Sequence, residues 1–536
     1  MNKNYRNREA IIFILILIAT IYSFSVVYFF GTSWPQIDSF NLLFIIKNYR
    51  SNNLDISTLL FARNNEHMVG LHYITSLITL ILTGLNFKIL LYTSALLLVL
   101  SIFYLLRTTL PKSSKGLGLT LVGCIVLITL LNPVQASYLL WEFQVWWYWL
   151  LFFFTLTIFL IERFRLRVYP FIFILCLLGS FFSTQGLFLW LTAGLHYTLL
   201  SFRNNTFDRK YAVYLFISTL HVIIFFTFVY LIFFRSQVPF NADKRPDFEI
   251  TSFLIYFTQL VGGGFGIRTP FYVLVLGAVS LFAFCFASIV CIKNKWFLTQ
   301  PNARAGLIMA CVGILCTLAF AFGRQKYGIE WALWTFHGAP MLLPFFTGLG
   351  LIAIACFHGS KEWPSRMYKY FFPAVCFISI LPSFMAVRTG YDRAKELLRI
   401  TSSAQIVNCN EDKFPLYLRL RLNGLWGQDY LYNQTKAIII ENCKRSVNIH
   451  AGKSLLEPPI EYFSYAKGNA DQVEALTDLW WVYVTHLDLQ RNFPFDDPNI
   501  SKRLLSFAIN NAKTNSGYEK IMLPKHQNIF LQMSEN

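Results

Sequence analysis

Charge is scarce in this chain. Asp, Glu, Lys and Arg make up 14% of its 536 residues, where soluble domains carry about one quarter. Acidic residues are the scarcer sign, 28 against 46 Lys and Arg. The ten cysteines include no Cys-x-x-Cys pair and no zinc-type cluster, which excludes zinc-ribbon and thioredoxin-like readings. No phosphate-binding signature of the Walker or Rossmann type occurs, which argues against a pump driven directly by ATP. No internal repeat is visible, and inverted repeats are a mark of many transporters.

Apolar residues fill the space that charge leaves. They make up 55% of the chain, aromatic residues alone 18%, and there are 54 Phe. Many stand in runs approaching the roughly 20 residues that a helix needs to cross hydrocarbon. The first run is Ile11–Phe30, preceded by Lys3, Arg6 and Arg8 and followed by Trp34-Pro35. It is too long for a signal peptide core and lacks a small-residue cleavage site, so it reads as an uncleaved first span. Further runs are Leu71–Leu85, Ile89–Leu106, Gly116–Leu131, Val145–Ile161, Val168–Phe182, Gly186–Leu200, Tyr211–Phe234, Phe271–Ile292, Ala305–Phe322, Trp331–Phe357 and Tyr368–Val387. The fold class is therefore an all-α polytopic membrane protein.

Lys and Arg in short loops mark the cytoplasmic side. Six segments are basic, around Arg6, Arg107, Arg165, Arg209, Lys293 and Arg366. Placing them inside leaves 31–69, 133–144, 235–270, 323–330 and everything after about 388 outside. Of the 12 Asp and Glu before residue 388, eight then lie outside, among them Asp38, Asp55, Glu66 and Glu142. The net charge of +18 thus reads as a topology signal rather than a nucleic-acid footprint. One stretch resists. The chain must cross an odd number of times between residues 70 and 107, yet two apolar runs lie there. Either one run does not cross or loop 107–115 breaks the charge rule. The scheme predicts 11 or 13 spans.

Two regions follow: a multi-span part over 1–387, with its first outer loop at 31–69, and a charged tail over 388–536. The tail holds 18 basic and 16 acidic residues, no span-length run, and the pair Trp480-Trp481. It is long enough for one small α or α+β domain, with a helix expected over Asp471–Asp488. Cys409 and Cys443 lie in it, and spacing alone leaves their pairing open. Asn433 and Asn499 stand in glycosylation sequons.

Ionisable residues where spans meet water are functional candidates by default. Asp38 follows the first span, and Glu66-His67 precede the second run. The alternative for Asp38 is to N-cap an interfacial helix over Ser39–Tyr49. Trp141-Glu142-Phe143-Gln144 sets a carboxylate and an amide among rings. An aromatic belt explains the rings but not Glu142 or Gln144, and such rings also stack on sugars. In Gly262–Gly266 with Arg268, glycines permit a turn that exposes N–H groups to an anion, and a guanidinium can add two parallel bonds to a phosphate. The alternative is a plain loop between an interfacial helix and the next span. Arg324 and Lys326 are cations in a short outer loop, against the positive-inside trend, and fit a lipid phosphate. His196, His221 and Gln185 lie within runs and read as core hydrogen-bonding groups.

An Asp soon after the first span, Asn65-Glu66-His67 before the second, the Trp-x-Phe-Gln element at 141–144 and the Gly323-Arg324 to Gly328 loop resemble the GT-C glycosyltransferases. Within that class the chain is most similar to bacterial Gtr-type O-antigen glucosyltransferases. The resemblance implies a GT-C-like fold of about 11–13 helices in the bacterial inner membrane, with a cytoplasmic N-terminus and a periplasmic C-terminal domain. It implies transfer of a hexose, glucose first, from a polyprenyl-phosphate donor to a lipopolysaccharide O-antigen or similar glycan acceptor. Membrane lipid is then a partner and nucleic acid is not.

By that resemblance Asp38, Glu66 and Glu142 are the catalytic candidates. Asp38 or Glu66 would be the base, and Glu142 a second carboxylate if the anomeric centre is retained. Arg324, Lys326, Arg268, His67, Gln144 and Trp141 are the substrate-binding candidates. Two departures stand out. The first loop has no Asp-Asp or Asp-x-Asp pair, so no cofactor is assigned and a divalent cation stays open. Trp334 to His337 stands where the family leads one to expect an Arg-Tyr pair. The rivals are a lipid-linked oligosaccharide flippase and an O-antigen polymerase.

Overall fold

In lipid a backbone has no hydrogen-bond partner but itself, so long apolar runs close into helices. The computed structural model describes residues 3–64, 67–110, 117–202, 209–233, 249–267, 269–324, 339–359, 366–409 and 429–445. Helices carry the fold. Seven helical stretches among the described residues are long and apolar enough to cross a membrane. The chain is an all-α, polytopic, membrane-embedded protein. The expected helix over Asp471–Asp488, the Trp480-Trp481 pair and Asn499 lie outside the described residues.

The chain opens with α1 (Lys3–Phe30), a 3-10 turn (Ile37–Ser39), α2 (Phe40–Arg50) and α3 (Ile56–Leu60). A two-residue ladder follows, β1 (Arg63–Asn64) on β2 (His67–Met68), antiparallel, with Asn64 opposite His67. Next come α4 (Gly70–Leu82), α5 (Lys88–Thr109), α6 (Leu117–Leu130), α7 (Ala136–Leu139), α8 (Val145–Phe164) and α9 (Tyr169–Phe182). Then follow α10 (Phe188–Ser201), α11 (Arg209–Phe233), α12 (Ile250–Gly263), α13 (Pro270–Lys293), α14 (Trp296–Thr299) and α15 (Pro301–Arg324). The described chain closes with α16 (Ala339–Gly359), α17 (Arg366–Met385), α18 (Val387–Cys409) and α19 (Asp429–Arg445).

Helix ends follow from local chemistry. Pro170 and Pro270 sit in the first turns of α9 and α13, where a missing N–H costs nothing. Between α8 and α9, Arg165 takes a positive φ of 60° and folds 142–182 into a hairpin. Its closure is visible in the rings of Trp149 and Phe182, 5.3 Å apart and stacked. Small residues let α15 and α16 touch. A Cβ on Gly348 would lie 2.4 Å from the Ala310 nitrogen, and one on Gly313 2.5 Å from the Phe345 nitrogen. Close approach of this kind is how helices associate where no hydrophobic force separates protein from lipid.

The two runs between residues 70 and 107 resolve through α1 and α5. Arg8 Nε donates to the Leu110 carbonyl at 2.7 Å, and Lys88 Nζ donates to the Tyr28 carbonyl at 3.1 Å. The two helices are therefore antiparallel, and α5 starts where α1 ends. The chain between them makes no net crossing. The run Leu71–Leu85 accordingly adds no net crossing: α4 ends in a turn at Gly84-Leu85 with positive φ at both. The basic residues Arg8 and Arg107 thus lie at one end of the bundle, Arg8 Nη2 donating to the Arg107 carbonyl at 3.1 Å.

A second layer covers the end of the bundle where α8 begins. α2 packs on α4, and α18 packs on α7 and on the 3-10 turn Pro133–Gln135. α19 packs on α2 and α18. Cys409 and Cys443 form a disulfide between α18 and α19, and Arg50 pairs with Glu441.

Candidate functional site

The covered end gathers the first loop and the 133–144 loop. Asn132 accepts from the Val134 N–H at 2.9 Å and so starts the Pro133–Gln135 turn. Gln135 is buried and donates to the Leu130 carbonyl, while the Tyr148 hydroxyl donates to Gln135 Oε1 at 3.3 Å. Trp141 is partly buried, and Glu142 and Gln144 are buried at 0% and 7% exposure. Across from them, Trp34 and Gln36 are buried, Asp38 is partly exposed, and Ser39 is buried.

The two loops meet at Glu142. Ser39 Oγ donates to its Oε2 at 3.2 Å, and Gln36 Nε2 donates to its Oε1 at 3.5 Å and to the Leu140 carbonyl at 2.7 Å. Asp38 sits in the same turn as Ser39, within electrostatic reach of Tyr73, whose hydroxyl bonds Asn41. Asp38 and Glu142, distant in sequence, thus share one site. Asp38 does not cap α2. The N-cap position belongs to Ser39, whose side chain is turned to Glu142 instead.

Beside Phe143, His72 is fully buried. Its ring meets Phe143 edge-on at 4.9 Å, its Nδ1 lies 3.3 Å from Ser76 Oγ, and its Nε2 has no hydrogen-bond partner. Sequence reading passed over His72, Gln36 and Ser39; the i,i+4 spacing of His72 and Ser76 was the available signal. Asp55 is occupied elsewhere. It caps α3, and the hydroxyls of Thr58 and then Ser57 hold its carboxyl below the ordinary range.

Arg324 ends α15, with its guanidinium carbon 5.8 Å from the Phe320 ring. Its end of the bundle follows from the opposite helix end. There Arg304, near the start of α15, grips Glu162, near the end of α8, with Nε to Oε1 at 2.6 Å and Nη2 to Oε2 at 2.8 Å. So α8 and α15 run antiparallel, and Arg324 lies toward the Glu142 end. Glu66, Lys326, Arg268 and His337 lie outside the described residues. Of His67 the backbone alone is described; its neighbour Met68 donates its N–H to Thr184 Oγ1 at 3.0 Å.

The glycine loop differs from its sequence reading. The N–H groups of Gly264, Phe265 and Gly266 each donate to a carbonyl three residues back, so they do not form an open anion cradle. Gly266 has φ +71°, a Cβ added to it would lie 3.2 Å from Ala386, and its carbonyl accepts from Thr389. That loop serves as a seat for α18.

His196 takes the core role expected of it, with Nε2 2.9 Å from Glu162 Oε1. Its partner Glu162 was not foreseen. His221 Nδ1 lies 2.9 Å from the Ile217 carbonyl, and Gln185 bonds Ser183. No group of three His, Cys, Asp or Glu side chains suited to a metal occurs among the described residues. Comparison with protein-family models, with curated proteins and with solved structures finds no match.

Proposed function

We propose that this chain transfers a hexose, glucose first, from a polyprenyl-phosphate carrier to a lipopolysaccharide O-antigen or a similar glycan. The observation that carries this reading is convergence. A partly exposed carboxylate, Asp38, and the arginine that ends α15 lie toward the same end of a membrane-embedded bundle, where a lipid-anchored headgroup meets water. The acceptor oxygen attacks the anomeric carbon as the bond to phosphate breaks. The polyprenyl phosphate departs with the bonding electrons, and the acceptor proton passes to Asp38 or Glu66. Arg324, with Lys326 and Arg268, stabilises the charge that grows on the leaving phosphate.

Topologically, we count α1, α5, α6, α8, α9, α10, α11, α13, α15, α16 and α17 as eleven crossings among the described residues. In this reading, with the basic loops inside, the N-terminus faces the cytoplasm and the Glu142 end faces the periplasm of a GT-C-like enzyme. The Cys409–Cys443 bond supports that orientation, because disulfides persist in oxidising compartments.

The test is to incubate the purified protein with a panel of polyprenyl-phosphate sugars and measure release of free polyprenyl phosphate. Release that depends on a glycan acceptor is the expected result. Movement of a lipid-linked glycan across vesicles without any release would replace this reading with transport.

A further inference from the structure

Glu142 is the most buried carboxylate at the site, and its surroundings are those of a strut. Its side chain has 0% exposure. Each carboxylate oxygen meets a donor from the first loop, Ser39 Oγ on one and Gln36 Nε2 on the other. Gln36 is braced a second time, against the Leu140 carbonyl. These two donors flank Asp38 in sequence, and Asp38 is the partly exposed member of the group. A buried acceptor from the 133–144 loop therefore grips both sides of the turn that presents Asp38.

We infer that Glu142, Gln36 and Ser39 are positioning residues that orient the Asp38 carboxylate, and that Glu142 does not itself meet the sugar. A general base acts only within hydrogen-bond reach of the proton it takes. A 1 Å displacement costs roughly 10²-fold in rate. The kinetic consequence rests on the transferase reading; the geometric one does not.

Two measurements on the full-length protein separate them. In the first, Asp38→Cys is labelled with a membrane-impermeant maleimide, alone and combined with Ser39→Ala or Glu142→Ala, against the protein that keeps Asp38. The frame predicts a changed labelling rate at position 38 when either support is removed. If Glu142→Ala fails to fold, the smaller Ser39→Ala change carries the test. An unchanged rate in both backgrounds overturns the inference.

In the second, polyprenyl-phosphate release is followed with Asp38 in place. Ser39→Ala and Glu142→Ala should lower kcat, by about 10²-fold for Glu142→Ala, with the KM for donor unchanged. Glu142→Gln keeps an oxygen for Ser39 and should lose much less than Asp38→Asn. A loss as deep as that of Asp38→Asn would make Glu142 a chemical participant and overturn the inference. If the wild type releases nothing, the transferase reading falls and the labelling result alone decides the frame.

Discussion

Replacing Glu162 with Gln keeps the shape of the side chain and removes its charge. Three contacts then change together. Arg304 keeps one acceptor oxygen where the carboxylate gave it two, at 2.6 and 2.8 Å, and His196, 2.9 Å from Oε1, faces either that oxygen or an amide group in its place. Arg304 is 1% exposed and Glu162 9%, so water cannot replace what is lost. Two unit charges about 4 Å apart attract by roughly 4 kcal/mol at the effective dielectric of such sites. The stranded guanidinium keeps its bonds to the Phe297 and Leu298 carbonyls but has no counter-charge from Glu162. Breaking one side of a buried pair costs about 3–5 kcal/mol. Glu162→Gln should therefore lower the thermal midpoint in detergent sharply, read by loss of the monodisperse peak on size-exclusion chromatography after heating. Glu162→Gln with Arg304→Met should recover part of the loss, because no charge is left buried. A single variant that melts with the wild type, or a double variant worse than the single, would refute the argument.

Asp38→Asn should insert and elute normally yet lose about 10²–10⁴-fold in transfer rate, measured as polyprenyl phosphate released. Arg324→Ala should reduce kcat/KM for the donor, and Arg324→Lys should restore it in part, because an ammonium cannot reproduce the guanidinium fork. Cys409→Ser should cost about 2–4 kcal/mol and loosen α18 from α19; the disulfide closes a sequence separation of 34, and faster proteolytic nicking between the helices would report its loss. A reporter fused at Asn536 should be active only outside the cytoplasm, and cytoplasmic activity would reverse the topology.

The spans were legible because lipid imposes one demand on them, a continuous apolar run, and Ile11–Phe30 or Phe271–Ile292 meets it without reference to any neighbour. The conflict between residues 70 and 107 was legible too, as a parity that did not close. Its solution lies in Arg8 and Lys88 reaching carbonyls of other helices, and no local pattern encodes a backbone acceptor. The site divides the same way. Asp38 and Glu142 announce themselves as carboxylates beside apolar runs. That Glu142 is held by Ser39, 103 positions away, is a fact of packing. Glu162 gave no signal, since an acidic residue among Arg163, Arg165 and Arg167 reads as part of a basic loop until Arg304 arrives from 142 positions away.

The spacing of these contacts sets an order of events during synthesis. Chains generally form structure from the N-terminus as they emerge, so the turn bearing Asp38 is made early. Its brace at Leu140 lies 104 positions downstream, and the clasp from Glu441 onto Arg50 lies 391 positions downstream. Until residue 142 has emerged the turn has no frame, and until α19 arrives α2 lacks its lid. A nascent chain thus carries the turn that bears Asp38 through most of translation without its full surroundings. A ribosome that stops before residue 429 releases a protein with its apolar spans made and its Glu142 end still open.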